Sequence, residues 1–427
     1  MLQKLKNIAK SEDKKRLLSN FFSLSVLQAA NYVLPLITLP YLVRVLGVEY
    51  FGLLAFVTAT IAYFSILTDY GFNLTATREI SINRDNKGKI IEIFSSVTTI
   101  KFVLMSLSFI LLAILVFSFE MFREYWVIYF LTFGTVIGQF LFPVWFFQGM
   151  ERMKYITYLN VLAKSIFTIA IFIFVREDND FYIVPMLTSC GFIISGILSQ
   201  YIVRRYFQVV FKMQDFKTLK YYFNESSKVF VGMFSYSLNS TSTIFILGLF
   251  TSNIVVGYFS AAQRLIKAIA SLVTPISQSL YPYLTKMYNE SENRVFVFSL
   301  KITGLYILCS TCISFVLFFF PELLLSIIYT DKFLNTNIIL VFKILSFYPI
   351  VYGIVHIFCT QTLLITKQYK LYKLILFSSF ILNILAGYFL INFYGEVGAA
   401  VSMLFIELII LLSSVFFIIR NKNKLII

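Results

Sequence analysis

Twelve apolar runs, each near the roughly twenty residues needed to cross a bilayer, follow one another from end to end of this chain. They lie near 18–43, 51–72, 93–117, 126–148, 157–175, 181–203, 229–250, 254–280, 298–320, 338–365, 374–393 and 397–419. Runs of this length are read as membrane helices, since a helix satisfies its own backbone polar groups in lipid. Only 13% of the 427 residues are charged, against about a quarter in a soluble domain. The pattern predicts an all-α membrane protein with about twelve transmembrane helices.

The cations between these runs fix an orientation. Twenty-seven Lys and Arg fall in the N-terminal tail, in the loops after even-numbered spans and in the C-terminal tail; the opposite loops hold Arg123, Arg176 and Lys332. Positive loops stay in the cytoplasm, so a multi-pass protein with both termini cytoplasmic is expected. Orientation in the membrane thereby accounts for the net charge of +15, and no nucleic-acid partner is expected. No small-residue cleavage site follows the first run, so no removable signal peptide is expected. The outer segments, such as 176–180 and 251–253, are short. An enzyme acting outside needs a folded loop to hold its catalytic groups, so a membrane polysaccharide polymerase or glycosyltransferase is disfavoured and no catalytic residue is assigned.

The chain repeats internally. Gly52 and Gly257 stand 205 apart, Pro143 and Pro349 206, and the pairs Gly191/Gly398 and Ser195/Ser402 207. A near-constant offset of six spans predicts two six-helix bundles of like orientation about a pseudo-twofold axis along the membrane normal. The expected bounds are 1–203 and 229–427, joined by a basic cytoplasmic linker, 204–228, whose FKTLKYYF suits an anionic leaflet.

Charge inside the spans marks function by default. In Ile254–Gln278, polar residues recur at Ser260, Arg264, Lys267, Ser271, Thr274 and Gln278, steps that share one helix face. Such a stripe belongs against a wet cavity or a partner helix; the alternative for its two cations is structural pairing. Other ionisable residues in or beside spans are Arg44, Asp69, Arg78, Glu79, Lys101, Lys164, Lys343, His356 and Glu407. Arg264 and Glu407 each lie roughly 15 Å deep at 1.5 Å per residue. Lys343 and Arg44, near the outer face, can snorkel to water. Cations outnumber acids, which implies an anionic cargo, and arginine's planar fork suits phosphate. A cation-coupled multidrug exporter is the alternative, and it expects the reverse balance. Gln28, Asn31, Pro35 and Thr38 in span 1 and SYSLNSTST at 235–243, with Asn239, read as cavity walls; serine and threonine can instead bond their own helix carbonyls. Pro35, Pro40 and Pro275 are candidate bends. Cys309 and Cys312 form CxxC inside an apolar run without other ligands, so no metal is assigned. His356 is read as a helix–helix hydrogen-bonding group.

LPYLVRVLGVEYFG at 39–52, TDYGFNLTATREIS at 68–81, FPVWFFQGMERMKYIT at 142–157, VGYFSAAQRLIKAI at 256–269 and GEVGAAVSMLFIEL at 395–408 run through the whole chain in order. Together they resemble the Wzx-type polysaccharide flippases of the MOP (multidrug/oligosaccharidyl-lipid/polysaccharide) exporter superfamily. The resemblance implies a MATE-like V of two bundles. It implies translocation of oligosaccharide repeat units on undecaprenyl diphosphate to the outer leaflet of a bacterial cell membrane, for O-antigen or capsule biosynthesis. Expected partners are that lipid-linked oligosaccharide, membrane lipids, and polysaccharide polymerase and chain-length proteins. The expected substrate-binding residues are Arg264, Lys267, Lys164, Arg44, Arg78 and Asn239. Glu407 and Asp69 are the candidates for coupling to a proton or sodium gradient, and no other cofactor is implied.

Overall fold

A computed structural model describes residues 12–290, 292–329, 335–366 and 368–425. Among these there is no β-strand. The helices are α1 (Glu12–Asp69), α2 (Phe72–Ile82), α3 (Lys87–Ser118), α4 (Glu120–Arg123), α5 (Trp126–Leu141), α6 (Val144–Gly149), α7 (Met153–Phe174), α8 (Ile183–Tyr206) and α9 (Phe216–Phe250). Then come α10 (Asn253–Ser271), α11 (Val273–Glu290), α12 (Glu292–Phe319), α13 (Pro321–Ile328), α14 (Thr336–Leu345), α15 (Tyr348–Ile354), a π-helical turn (Val355–Thr360), α16 (Gln361–Ile365) and α17 (Tyr369–Leu425).

Among the described residues, eight helical segments are long and apolar enough to cross a membrane, with α9 as a ninth. Two of the eight are double. α1 is interrupted at Gly47 (φ 73°) and α17 at Gly395 (φ 53°). Both glycines have a positive φ that a side chain disfavours, so each breaks the helix between two apolar runs. α10 is absent from the eight because its polar stripe lowers its hydropathy. The stripe does not run unbroken, for the helix breaks at Leu272 before α11 starts. Pro275 lacks the N–H that would bond the Ser271 carbonyl, which weakens the helix at that turn. Pro143 and Pro349, paired by the repeat, both stand at helix starts, of α6 and α15.

Two compact units emerge. One comprises residues up to Thr38 and Thr60–Phe234; the other comprises Leu39–Ala59 and the chain from Ser235 on. Against the expected bounds at 203 and 229, the division falls inside α9, and 39–59 packs with the second unit. The segment read as a linker is irregular only over 207–215 and then enters α9.

In the first unit, α5 and α8 approach through small residues. A Cβ on Gly138 would lie 2.4 Å from the Phe192 backbone, and one on Gly196 2.6 Å from Leu141 Cβ. The terminal carbonyl of α5, at Leu141, accepts from Ser199 Oγ (3.2 Å) and Gln200 Nε2 (2.6 Å). A second cluster buries Phe72, Phe94, Trp145, Phe146 and Phe147, and exposed Phe102, Ile110 and Ile114 on α3 suit lipid.

In the second unit, the backbones of α1 and α10 touch. A Cβ on Gly52 would fall 1.8 Å from the Asn253 carbonyl oxygen, and one on Gly257 2.2 Å from that of Val48. The two glycines matched by the repeat thus meet face to face. This contact is the physical reason why 39–59 belongs to that unit.

Candidate functional site

The helix carrying the cationic stripe is fixed at both ends of its contact with α1. Below the glycine contact, the Arg264 guanidinium lies 5.0 Å from the centroid of the buried Phe51 ring. Tyr329 Oη donates to the carbonyl of Ala261, one turn before Arg264, at 3.0 Å. Tyr329 is itself held by Arg44. That guanidinium donates from Nε to the Tyr329 carbonyl and from Nη2 to those of Ile327 (3.2 Å) and Ile328 (3.1 Å). Those are orphan carbonyls at the end of α13, and a cation suits them doubly. Arg44 is exposed, and its guanidinium is engaged by these carbonyls. It closes a helix end and, through Tyr329, positions the turn that bears Arg264. Lys343, the other residue expected to snorkel, places its ammonium 5.9 Å from the Phe318 ring.

Lys267 shares the stripe, half-buried, and Glu407 on α17 is the carboxylate whose charge acts on it. Four residues earlier on both helices, Gln263 Nε2 donates to Met403 Sδ at 3.3 Å. Contacts that advance four residues on each partner belong to helices running the same way, as two even-numbered spans do. Ser260, which the stripe placed against a wet cavity or a partner helix, is fully buried, and its hydroxyl has no hydrogen-bond partner among the described residues.

The remaining expected residues divide by what they touch. Asp69 is not a free carboxylate: Lys101, buried, donates to it at 3.1 Å. Asn239 is half-buried and ties helices together. Its Nδ2 donates to the Leu376 carbonyl (3.3 Å), while Asn383 Nδ2 donates to its carbonyl (3.3 Å). Around it, Thr241 and Ser242 hydroxyls bond the carbonyls of Ser237 (3.2 Å) and Leu238 (2.6 Å), so the local alternative holds for these two. Thr38 likewise bonds Leu34 and Pro35 carbonyls at 3.2 Å. Arg78 is exposed on α2 and pairs with no carboxylate among the described residues. The His356 ring lies tilted by 41° against Tyr352 with ring centroids 4.1 Å apart, inside the π-turn, and its carbonyl accepts from Ser277 Oγ. Cys309 and Cys312 are exposed free thiols, and the described residues hold no metal-ligand cluster. The side chain of Gln278 lies outside the described residues.

Lys164, in the first unit, donates to Asn31 Oδ1 at 2.5 Å, a neutral amide. Of the cations in or beside spans, then, Arg264 and Lys164, like Arg44, Arg78 and Lys343, have no carboxylate at ion-pair distance among the described residues; Arg264 meets a ring and Lys164 a neutral amide. A cation–π contact is worth about 0.5–2 kcal/mol, less than the cost of bringing a guanidinium out of water. Such a charge persists in a membrane protein where water or an anion meets it. Tyr329 and the Gly52–Gly257 contact escaped the sequence reading of the site: a tyrosine in a short loop carries no periodicity, and the repeat matched the glycines without showing that they touch.

The family described as "Polysaccharide biosynthesis protein" matches residues 17–288, more than half of the chain. The chain belongs to that family. It is 29% identical over 403 residues to the "Putative O-antigen transporter" of Escherichia coli (strain K12), covering 94% of this chain and 97% of that one. It is 28% identical over 396 residues to a protein of the same description from Shigella dysenteriae, covering 92% and 98%. Among solved structures it resembles the lipid II flippase MurJ in an inward closed conformation, with TM-score 0.74, 15% identity, and 96% and 89% of the two chains covered. It also resembles an inward-facing multidrug resistance MATE family transporter, with TM-score 0.69, 11% identity, and 92% and 94% covered. The family member described here is a multi-pass membrane protein with the fold of the MOP exporter superfamily.

Proposed function

We propose that this protein is a flippase that moves undecaprenyl-diphosphate-linked oligosaccharide repeat units from the inner to the outer leaflet of the bacterial cell membrane, by alternating access, for O-antigen-type surface polysaccharide. Both termini are cytoplasmic in this reading. The observation that carries it is Arg264: a guanidinium inside a membrane helix, backed by an aromatic ring and anchored through Tyr329, with no carboxylate at ion-pair distance among the described residues. A diphosphate supplies the missing charge, and the fork of N–H donors matches its oxygens. Lys267 adds a second cation one turn away; Lys164, in the first unit, is proposed separately as a substrate-binding residue. The relatives described as O-antigen transporters support the same cargo class. A drug exporter of this fold needs a carboxylate open to a cationic drug. Here Asp69 is held by Lys101, and Glu407 answers Lys267. Glu407 is therefore the coupling candidate that remains, since protonating it releases Lys267 toward an anion.

The test is deletion of the protein in its host, with complementation by variants. Deletion should leave the diphosphate-linked unit accumulating on the inner leaflet. Arg264→Ala combined with Lys267→Ala should insert normally yet fail to restore surface polysaccharide. Loss of one charge-assisted contact costs about 1.5–3 kcal/mol, or roughly one to two orders of magnitude in affinity. Arg264→Lys should retain partial output. Wild-type polymer from the double variant would sink the diphosphate assignment.

A further inference from the structure

The stretch that joins α8 to α9 is not a slack tether. Val209 N–H reaches the Val203 carbonyl at 3.4 Å, and Lys212 N–H donates to Ser95 Oγ at 2.9 Å. Lys87 Nζ donates to Gln208 Oε1 at 2.7 Å, and Gln208 itself adopts φ 52°. At the start of α9, the Asp215 carboxylate accepts the hydroxyl and backbone N–H of Thr218, while Tyr222 Oη donates to Glu92 at 3.0 Å. The strap is thus pinned to α3 along its length. Val209 and Tyr222 point inward and are buried.

What the pinned backbone turns outward is apolar. Met213 is 77% exposed and Phe216 78%, with Val210 and Phe211 each at 48%. Exposed beside them are Arg204, Arg205, Lys212, Lys217 and Lys220, and Asp215 is the sole acid between 204 and 223. Holding four apolar side chains rigidly in water is unfavourable at about 25 cal/mol per Å². Contiguous exposed apolar surface marks a partner. Both ends of the strap lead directly into membrane spans, which places it at the bilayer surface, and the positive-inside asymmetry makes that the inner leaflet. Aromatic and thioether side chains ringed by cations complement an anionic headgroup layer over acyl chains.

We propose that residues 204–223 dock on anionic phospholipid headgroups, with Phe211, Met213 and Phe216 entering the acyl boundary of that leaflet. This contact is independent of the cargo reading above and stands or falls separately from it.

The test uses the full chain with the exposed Cys190, Cys309 and Cys312 changed to serine, and with Met213→Cys carrying an environment-sensitive fluorophore. Cys359 is buried and does not react. The protein is placed in nanodiscs of phosphatidylcholine or of a phosphatidylcholine–phosphatidylglycerol mixture, and each lipid in turn is brominated. The label should be quenched by brominated chains, and in the mixture more by phosphatidylglycerol than by phosphatidylcholine. Lys212→Gln, Lys217→Gln and Lys220→Gln should cut that preference roughly fivefold per lysine. These side chains are exposed, and an unchanged gel-filtration profile certifies the fold. A label quenched by iodide and not by lipid would overturn the proposal. Equal quenching by both lipids would overturn the anionic preference. Disulfide cross-linking between two unlabelled Met213→Cys chains, with no lipid quenching of the labelled form, would assign the surface to a second copy instead.

Discussion

Gly52→Ala should damage this protein more than an exchange of one hydrogen for one methyl suggests. The added Cβ falls 1.8 Å from the Asn253 carbonyl oxygen and 2.6 Å from the Gly257 nitrogen, where ordinary contact begins at 3.4 Å. Both obstacles are backbone, so no rotamer change relieves them, and α1 and α10 must part by about 1.6 Å at that point. Overpacking costs about 1–3 kcal/mol where side chains can yield. A rigid contact belongs at or above the upper end, about 3 kcal/mol, because parting also loosens the dispersion contacts along the seam. The displacement reaches the site, since Asn253 and Gly257 open the helix that lays Arg264 on Phe51. The assay is thermal melting of the full chain in detergent, followed by loss of the monodisperse gel-filtration peak. Gly304→Ala is the control: a Cβ there meets nothing within 4 Å, and replacing a helix glycine by alanine gains about 1 kcal/mol. Gly52→Ala should melt several degrees below wild type and Gly304→Ala at or above it. Gly257→Ala should behave like Gly52→Ala, and the double variant should cost less than the sum, because one gap accommodates both methyls. If Gly52→Ala melts with the Gly304→Ala control, the backbone contact is not as described.

Asp69→Asn should destabilise by about 3–5 kcal/mol, because it strands the buried Lys101 ammonium, and Asp69→Leu with Lys101→Met should recover much of the loss in the same melting assay. Arg44→Ala should cost about 1–3 kcal/mol by leaving carbonyls 327–329 unmet. Arg44→Lys should repair that only in part, and loss of transport at unchanged melting temperature would contradict the positioning role. The hydroxyl of Thr218, with backbone donors, holds the exposed Asp215 carboxyl below its usual value. The ordering it gives the strap is present above about pH 4, the ordinary carboxylate value, and lost as pH falls through the lowered one. Limited proteolysis at 207–215 should therefore be flat from neutral pH downward until acid, and Asp215→Asn should abolish that acid step.

Much of the site was legible by residue type and little by role. Arg264, Lys267 and Glu407 stand out in the sequence because charge is costly in a membrane helix, whatever surrounds it. Arg44 and Asp69 stand out for the same reason, and the uncharged Asn239 because an amide in a membrane helix needs hydrogen-bond partners; in the structure they meet carbonyls, a lysine and a neighbouring helix. Rarity of charge reports that a group must be met; it does not report by what. Ser260 shows the same limit, since helical phase left open a wet cavity or a partner helix and the structure buries it.

The sequence by itself determined that the chain is helical and crosses the membrane repeatedly, with most Lys and Arg in the loops after even-numbered apolar runs. Those properties follow from local solvation: apolar length, helix period and Lys/Arg placement need no knowledge of the fold. Only tertiary structure decided which cation keeps an unmet charge and which residues aim it. How a charge is met depends on groups hundreds of positions apart, as Arg44 and the Tyr329 carbonyl are, coming within hydrogen-bonding distance. It also brought Gly52 against α10, taking 39–59 into the second unit. Spacing along a chain carries no record of such contacts.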